Sequence, residues 1–170
     1  MGLFDFITGN KSPAAGVPRA PASTLRDALL TLNREGSPWQ VRDGAPDGCD
    51  LVAGWKIVDA RWYEIFAKAS LTKVSKTLIK FDNANGEVRS VDQDWTVEWR
   101  AGVPALSLSA EAFRGQKVEV SFGTAIGFRE DFSPGIIYEY RFATKEMKEP
   151  LQNAVVANGW SWKGVAFGKL

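Results

Sequence analysis

Apolar residues recur along this chain at two spacings, and the change from one to the other divides it into elements. After Ser23 and Thr24, residue types that cap helices, Leu25, Ala28, Leu29 and Leu32 follow the i, i+3, i+4, i+7 spacing of a helix with one apolar face. Gly36 is the residue expected to end it. Beyond Pro38 the period drops to two. Trp39 and Val41 predict a short strand, and Leu51, Ala53, Trp55 and Ile57, alternating with Val52, Lys56 and Val58, predict a second. Asp59 then caps a helix near residues 60–69 that carries Trp62, Ile65, Phe66 and Ala69 on one face.

From Thr77 the period of two persists for some sixty residues. Thr77, Ile79 and Phe81 share a face, the turn DNANG supplies the Asn85-Gly86 pair that accepts positive φ, and Glu87 to Arg100 returns as a long strand. Trp95, Val97 and Trp99 fall on one side of it and Thr96, Glu98 and Arg100 on the other, the pattern of a sheet with one dry face. Val118, Val120 and Phe122 repeat the alternation, as do Ile136, Tyr138, Tyr140 and Phe142. Pro150 lacks an amide hydrogen, so the last helix is expected near 150–158, with Leu151, Ala154 and Val155 inside it and Gly159 at its end. A strand from Trp160 to Phe167 closes the pattern. The expected fold class is α+β: a curved, mainly antiparallel sheet of about six to eight strands with three helices.

Composition narrows the function more than it names it. Lys and Arg total 21 against 20 Asp and Glu, so no global field concentrates nucleic acid, and a nucleic-acid partner is not expected. The chain contains no histidine, which removes the commonest general base, the usual partner of Ser and Cys nucleophiles, and the commonest metal ligand. No cofactor or metal is expected, and an enzyme built on carboxylates or a tyrosine ranks third among the readings. Cys49 is the single cysteine, which fits a reducing cytoplasm better than a disulfide scaffold. No export signal, myristoylation pattern or membrane-spanning run is visible, and GTAIGFRE and SPGII lack the spacing of phosphate-binding loops.

Several clusters invite chemistry. Asp43, Asp47 and Asp50 sit in one loop but miss the alternate-ligand spacing of a calcium loop, so Asp-Gly turns explain them better. Asp92 and Asp94 share a strand face and are read as exposed carboxylates in preference to an acid/base pair. Of the seven tryptophans, most are expected to fill the concave side of the sheet. Trp160 and Trp162, following a helix end, are the pair expected to be exposed for ligand stacking. Charge is unevenly spread: Lys56, Arg61, Lys68, Lys73, Lys76 and Lys80 crowd one stretch, while Asp82, Glu87, Asp92, Asp94 and Glu98 crowd the next. Cross-strand ion pairing is the plain expectation. The functional one is a basic face on Lys68, Lys73, Lys76 and Lys80 for anionic headgroups.

Organisation follows from the N-terminal end. Residues 1–8 form an apolar tail with Leu3, Phe4, Phe6 and Ile7. Residues 9–22, rich in Pro, Ala and Gly, read as a semi-rigid linker, and residues 23–170 form one globular domain. A segment as short as the tail gains order only against a surface: its own domain, a partner or a bilayer. The leading expectation is a non-enzymatic cytoplasmic interaction module, reversibly membrane-associated, whose tail engages a protein partner or an anionic membrane surface. The alternative is a small-molecule or lipid carrier with an aromatic-lined cavity. The oligomeric state is not set by the sequence.

Overall fold

The computed structural model describes residues 10–56, 73–100, 103–108, 114–115, 120–124, 139–165 and 170. In chain order these form α1 (Ala22–Leu30), β1 (Trp39–Asp43), a 3-10 turn (Ala45–Asp47), β2 (Leu51–Trp55), β3 (Lys73–Asp82), β4 (Glu87–Arg100), β5 (Val103–Leu108), β6 (Arg114–Gly115), β7 (Val120–Thr124), β8 (Glu139–Ala143), α2 (Thr144–Ala157) and β9 (Ser161–Gly164). The main path of the mixed sheet is β1-β2-β3-β4-β5. β4 is the organising strand. One of its edges pairs with β3 from Lys73↔Thr96 to Asp82↔Glu87, and the other is shared by β9, β6 and β5 in turn. β9 is parallel to β4 and the other pairings are antiparallel. The result is an α+β fold with a curved, open sheet.

Not every strand joins it. Among the described residues β7 and β8 pair with each other as a two-stranded sheet, so the alternations of Val120/Phe122 and Tyr140/Phe142 do not extend the main one there. The helix expected near 60–69 and positions 118, 136 and 138 lie outside the described residues.

Both described helices contribute to one core with the same sheet face. Leu25 and Leu29 of α1, and Met147, Leu151 and Val155 of α2, meet Trp39, Val41, Leu51, Ala53, Ile79, Val88, Trp160 and Trp162. At roughly 1.5–3 kcal/mol per fully buried large side chain, this cluster is the main source of cohesion. It also explains why α2 begins at Thr144, ahead of Pro150, and carries that proline inside it. The proline costs one i→i−4 bond. The helix persists because Met147, Leu151 and Val155, four residues apart, form a buried stripe on both sides of the interruption.

The ends of α1 also differ from expectation. Pro21 stands at its N-cap with no side-chain bond, Leu25 N donating to Pro21 O at 3.1 Å, so neither Ser23 nor Thr24 caps it. Its C-cap is Thr31 and not Gly36. The last turn of α2, in contrast, ends where Gly159 predicts. Gly159 takes φ +74°, and Trp160 N and Gly159 N close back on Val155 O and Val156 O, a Schellman arrangement.

Among the described residues β1 ends the strand path, and its outer edge is protected from within. The Asn33 side chain accepts from Val41 N at 2.7 Å and donates to Val41 O at 2.9 Å, mimicking the strand that would otherwise pair there. Asn33→Ala is expected to lose about 1–2 kcal/mol from these two partly buried bonds and to increase concentration-dependent association, measured by melting and light scattering. A melt unchanged and scattering flat would show that the edge needs no such cover.

Residues 10–21 lie against the domain. Lys11 forms an antiparallel bridge with Trp162, with bonds of 2.9 and 2.7 Å, and Asn10 Oδ1 accepts from Gly164 N at 2.9 Å. Ala20 N donates to Asn158 O, and Trp160 Nε1 donates to Ala20 O at 2.8 Å. Arg19 lies 5.9 Å from the Trp160 ring centroid. This proline-rich stretch is therefore a strap fastened to the end of α2 and to β9, because its few polar backbone groups find partners there.

Candidate functional site

Strand alternation gives the sheet a second face, opposite the helices. On it the register aligns Val52 of β2, Leu78 of β3 and Val91 of β4 into a buried apolar row, against which Cys49 and Leu170 pack. Burial pushes the Cys49 thiol up from its ordinary range, with Asp47 and Asp50 adding to the effect. Trp95 and Val97 share the parity of Val91. The apolar side of β4 that the sequence marks as dry is thus the face away from the described helices, while Val88 of the opposite parity joins the helix-packed core. β4 is buried on both faces where these residues lie.

One register row nearer the hairpin turn, Lys80 of β3 stands opposite Arg89 of β4, and Arg89 opposite Lys163 of β9. Adjacent strands are about 4.8 Å apart, and like charges placed directly opposite are destabilising. At two rows of the hairpin the register sets like charges opposite one another where cross-strand ion pairing is expected. Lys80 meets Arg89, and in the next row Asp82 meets Glu87, like against like. Lys80 is exposed, and among the described residues neither its side chain nor that of Arg89 has a hydrogen-bond partner; the Arg89 Nε is buried. Among the described residues Lys163 is paired with Glu87 at 3.8 Å, beyond hydrogen-bond distance. Asp82 is engaged by the turn. Its two oxygens accept from Asn85 N and Nδ2, and these bonds, with a smaller contribution from Arg89, hold its carboxyl below the usual range.

Of the four lysines named from the sequence, Lys76 and Lys80 share one face of β3. Lys68 lies outside the described residues, and position 73 has the opposite parity on β3 from positions 76 and 80. Lys76 is half-buried, its ammonium 4.0 Å from the Trp95 ring centroid, and desolvation lowers its pKa, with Arg42 adding a smaller repulsion. Lys56 has left the basic surface altogether. It is 6% exposed and donates to Arg34 O and Glu35 O. Arg89 and Lys163 take their places on the sheet face, and a strand-parity argument carried across the hairpin is the signal that could have found Arg89.

Trp160 and Trp162, expected as an exposed stacking pair, are 2% and 1% exposed and belong to the helix-packed core. A ring enclosed on both sides offers no platform to a ligand. Phe81 packs 6.1 Å from Trp160 between ring centroids. Leu3, Phe4, Phe6 and Ile7 lie outside the described residues. Their chain attachment does not: it emerges at Asn10, beside β9.

Asp92 is not the exposed strand carboxylate expected of it. It is fully buried, accepts from Thr77 Oγ1 at 2.8 Å across the strand pair, and forms an ion pair with Lys148 of α2. The pairing joins residues far apart in sequence and ties α2 to the sheet. The loop carboxylates diverge: Asp43 to Ala45 N and Arg26, Asp47 to Arg42, and Asp50 to Phe81 N. Among the described residues no three acidic or thiol groups form a metal-holding cluster, and no helix is long and apolar enough to cross a membrane. No family model, curated protein or solved structure matches this chain.

Proposed function

We propose that this protein is a non-enzymatic binding module that attaches reversibly to an anionic membrane surface through two adjacent elements, the apolar N-terminal tail and the basic row on β3, β4 and β9. The observation that carries this reading is the bridge between Lys11 and Trp162, which fixes the start of the tail beside the strand that bears Lys163. Two residues separate Asn10 from Ile7, so the length of the chain keeps the tail within reach of that anchor, at most about 11 Å for Ile7. A single apolar wedge binds a bilayer weakly, and a neighbouring cationic cluster supplies the second signal that stable attachment requires. The burial of Trp39, Trp160 and Trp162 supports the same reading over a carrier, since the helix-packed face is filled by the protein's own rings.

The test is flotation with phosphatidylcholine vesicles containing phosphatidylserine, at low and physiological salt. The intact chain is expected to float, more strongly at low salt. Removal of residues 1–8 is expected to weaken binding at least tenfold, because even one buried apolar side chain at about 1.5 kcal/mol corresponds to that factor. Charge reversal at Lys80, Arg89 and Lys163 is expected to remove the salt-dependent part, at roughly 1 kcal/mol per residue. An intact chain that stays in the soluble fraction at low salt would end the membrane reading and leave the tail to a protein partner.

A further inference from the structure

A membrane presents several anions, and the basic row discriminates among them by geometry. Lys80, Arg89 and Lys163 stand on three adjacent strands at one register position, two lysines flanking one arginine. The spacing between strands, about 4.8 Å, lets the flanking ammonium groups converge over the arginine, so that three positive groups meet one small anion. Among the described residues neither Arg89 nor Lys80 gives up a side-chain hydrogen bond on turning toward a ligand, and Lys163 gives up an ion pair with Glu87 at 3.8 Å. The two acids of the neighbouring row offset these cations only in part: Asp82 is held by Asn85, and Glu87 meets Lys163 as an ion pair at 3.8 Å, outside hydrogen-bond range. A phosphate monoester carries about −1.5 to −2 charge near neutral pH and three acceptor oxygens, and an arginine fork can hold two of them at once. A phosphodiester headgroup carries a single charge and cannot satisfy three cations.

We infer that the Lys80–Arg89–Lys163 row binds a phosphate-monoester lipid headgroup, with Arg89 as the bidentate centre and the lysines as flanking charges. This rests on the membrane reading above and adds the chemistry of the lipid.

The experiment compares phosphatidylcholine vesicles containing phosphatidylglycerol, a diester, with vesicles containing phosphatidate, a monoester, at matched surface charge. The intact chain is expected to prefer phosphatidate by about tenfold, and Arg89→Lys, which keeps the charge but removes the fork, is expected to bring the ratio of phosphatidate to phosphatidylglycerol binding down to about one. Melting of the variant establishes that its fold is retained, and Lys80→Gln with Lys163→Gln provides a second route to the same loss if it is not. Equal binding of the intact chain to both vesicles would overturn this inference and leave the membrane reading standing. Binding to neither would remove both. Suppression of the preference by dilute inorganic phosphate, with vesicle binding otherwise intact, would show that the row takes a free anion, and the lipid assignment would fall.

Discussion

Lys148→Met is expected to cost about 3–5 kcal/mol of stability, the largest effect of any single substitution outside the apolar core. The change removes one member of a buried ion pair and takes the Lys148 ammonium away from the Asp92 carboxylate, which is fully buried on β4 and also accepts from the Thr77 hydroxyl. An uncompensated charge in the interior is far more destabilising than the pair itself is stabilising. At roughly 2–4 °C per kcal/mol for a chain of this size, the melting temperature should fall by about 6–20 °C. The double variant Asp92→Leu with Lys148→Met removes both charges and should recover most of the loss, since apolar replacement of a whole buried pair is often neutral or better. A single variant that melts within a degree or two of the parent would mean that the pair is solvated and does not lock α2 to the sheet. The pair also bears on the third-ranked reading of the sequence, in which Asp92 served catalysis: its geometry fits an internal tie, held from the strand by Thr77 and from the helix by Lys148.

Gly159→Ala is expected to cost about 2–4 kcal/mol and to loosen the N-terminal strap. Two independent costs meet at this position. The residue sits at φ +74° in the turn that ends α2, a conformation that costs an L-residue roughly 1–2 kcal/mol. A Cβ there would also stand 2.3 Å from the Pro18 carbonyl oxygen and 2.6 Å from its carbon, a clash with backbone that no side-chain rotation relieves. The strap must therefore move, and with it the bond from Ala20 N to Asn158 O and the bond from the Trp160 indole to Ala20 O. Hydrogen exchange should show faster exchange at Ala20, Lys11 and Trp162 than in the parent, beyond the global loss of stability. Unchanged protection at Lys11 and Trp162 would show that the β9 end of the strap holds by itself.

Local periodicity by itself determined much of this protein. The alternation of Trp39 with Val41 and of Leu51 with Ala53, the i, i+4 relation of Leu25 and Leu29, the DNANG hairpin and the glycine stop at Gly159 are all short-range signals, and each element formed where its pattern lies. Side chains two or four residues apart must share a face in a strand or helix, whatever the rest of the chain does. The fold class followed from the order of those elements.

Tertiary structure decided what periodicity cannot reach. Pairing register set Lys80 against Arg89 and Arg89 against Lys163, and a slip of one residue would have sent those charges to the opposite face. The two faces of β4 were assigned by what packs on each, so Trp95 stands away from the described helices while Asp92 faces Lys148 across them. The start of α2 ahead of Pro150, the enclosure of Trp160 and Trp162, and the fastening of the strap to β9 all come from contacts between residues distant in sequence. Burial is a property of such contacts, and a residue's own neighbours in the chain carry little record of it. The candidate site belongs to this second group: its residue types were visible in the chain, but their convergence on one row beside the root of the tail was created by the sheet.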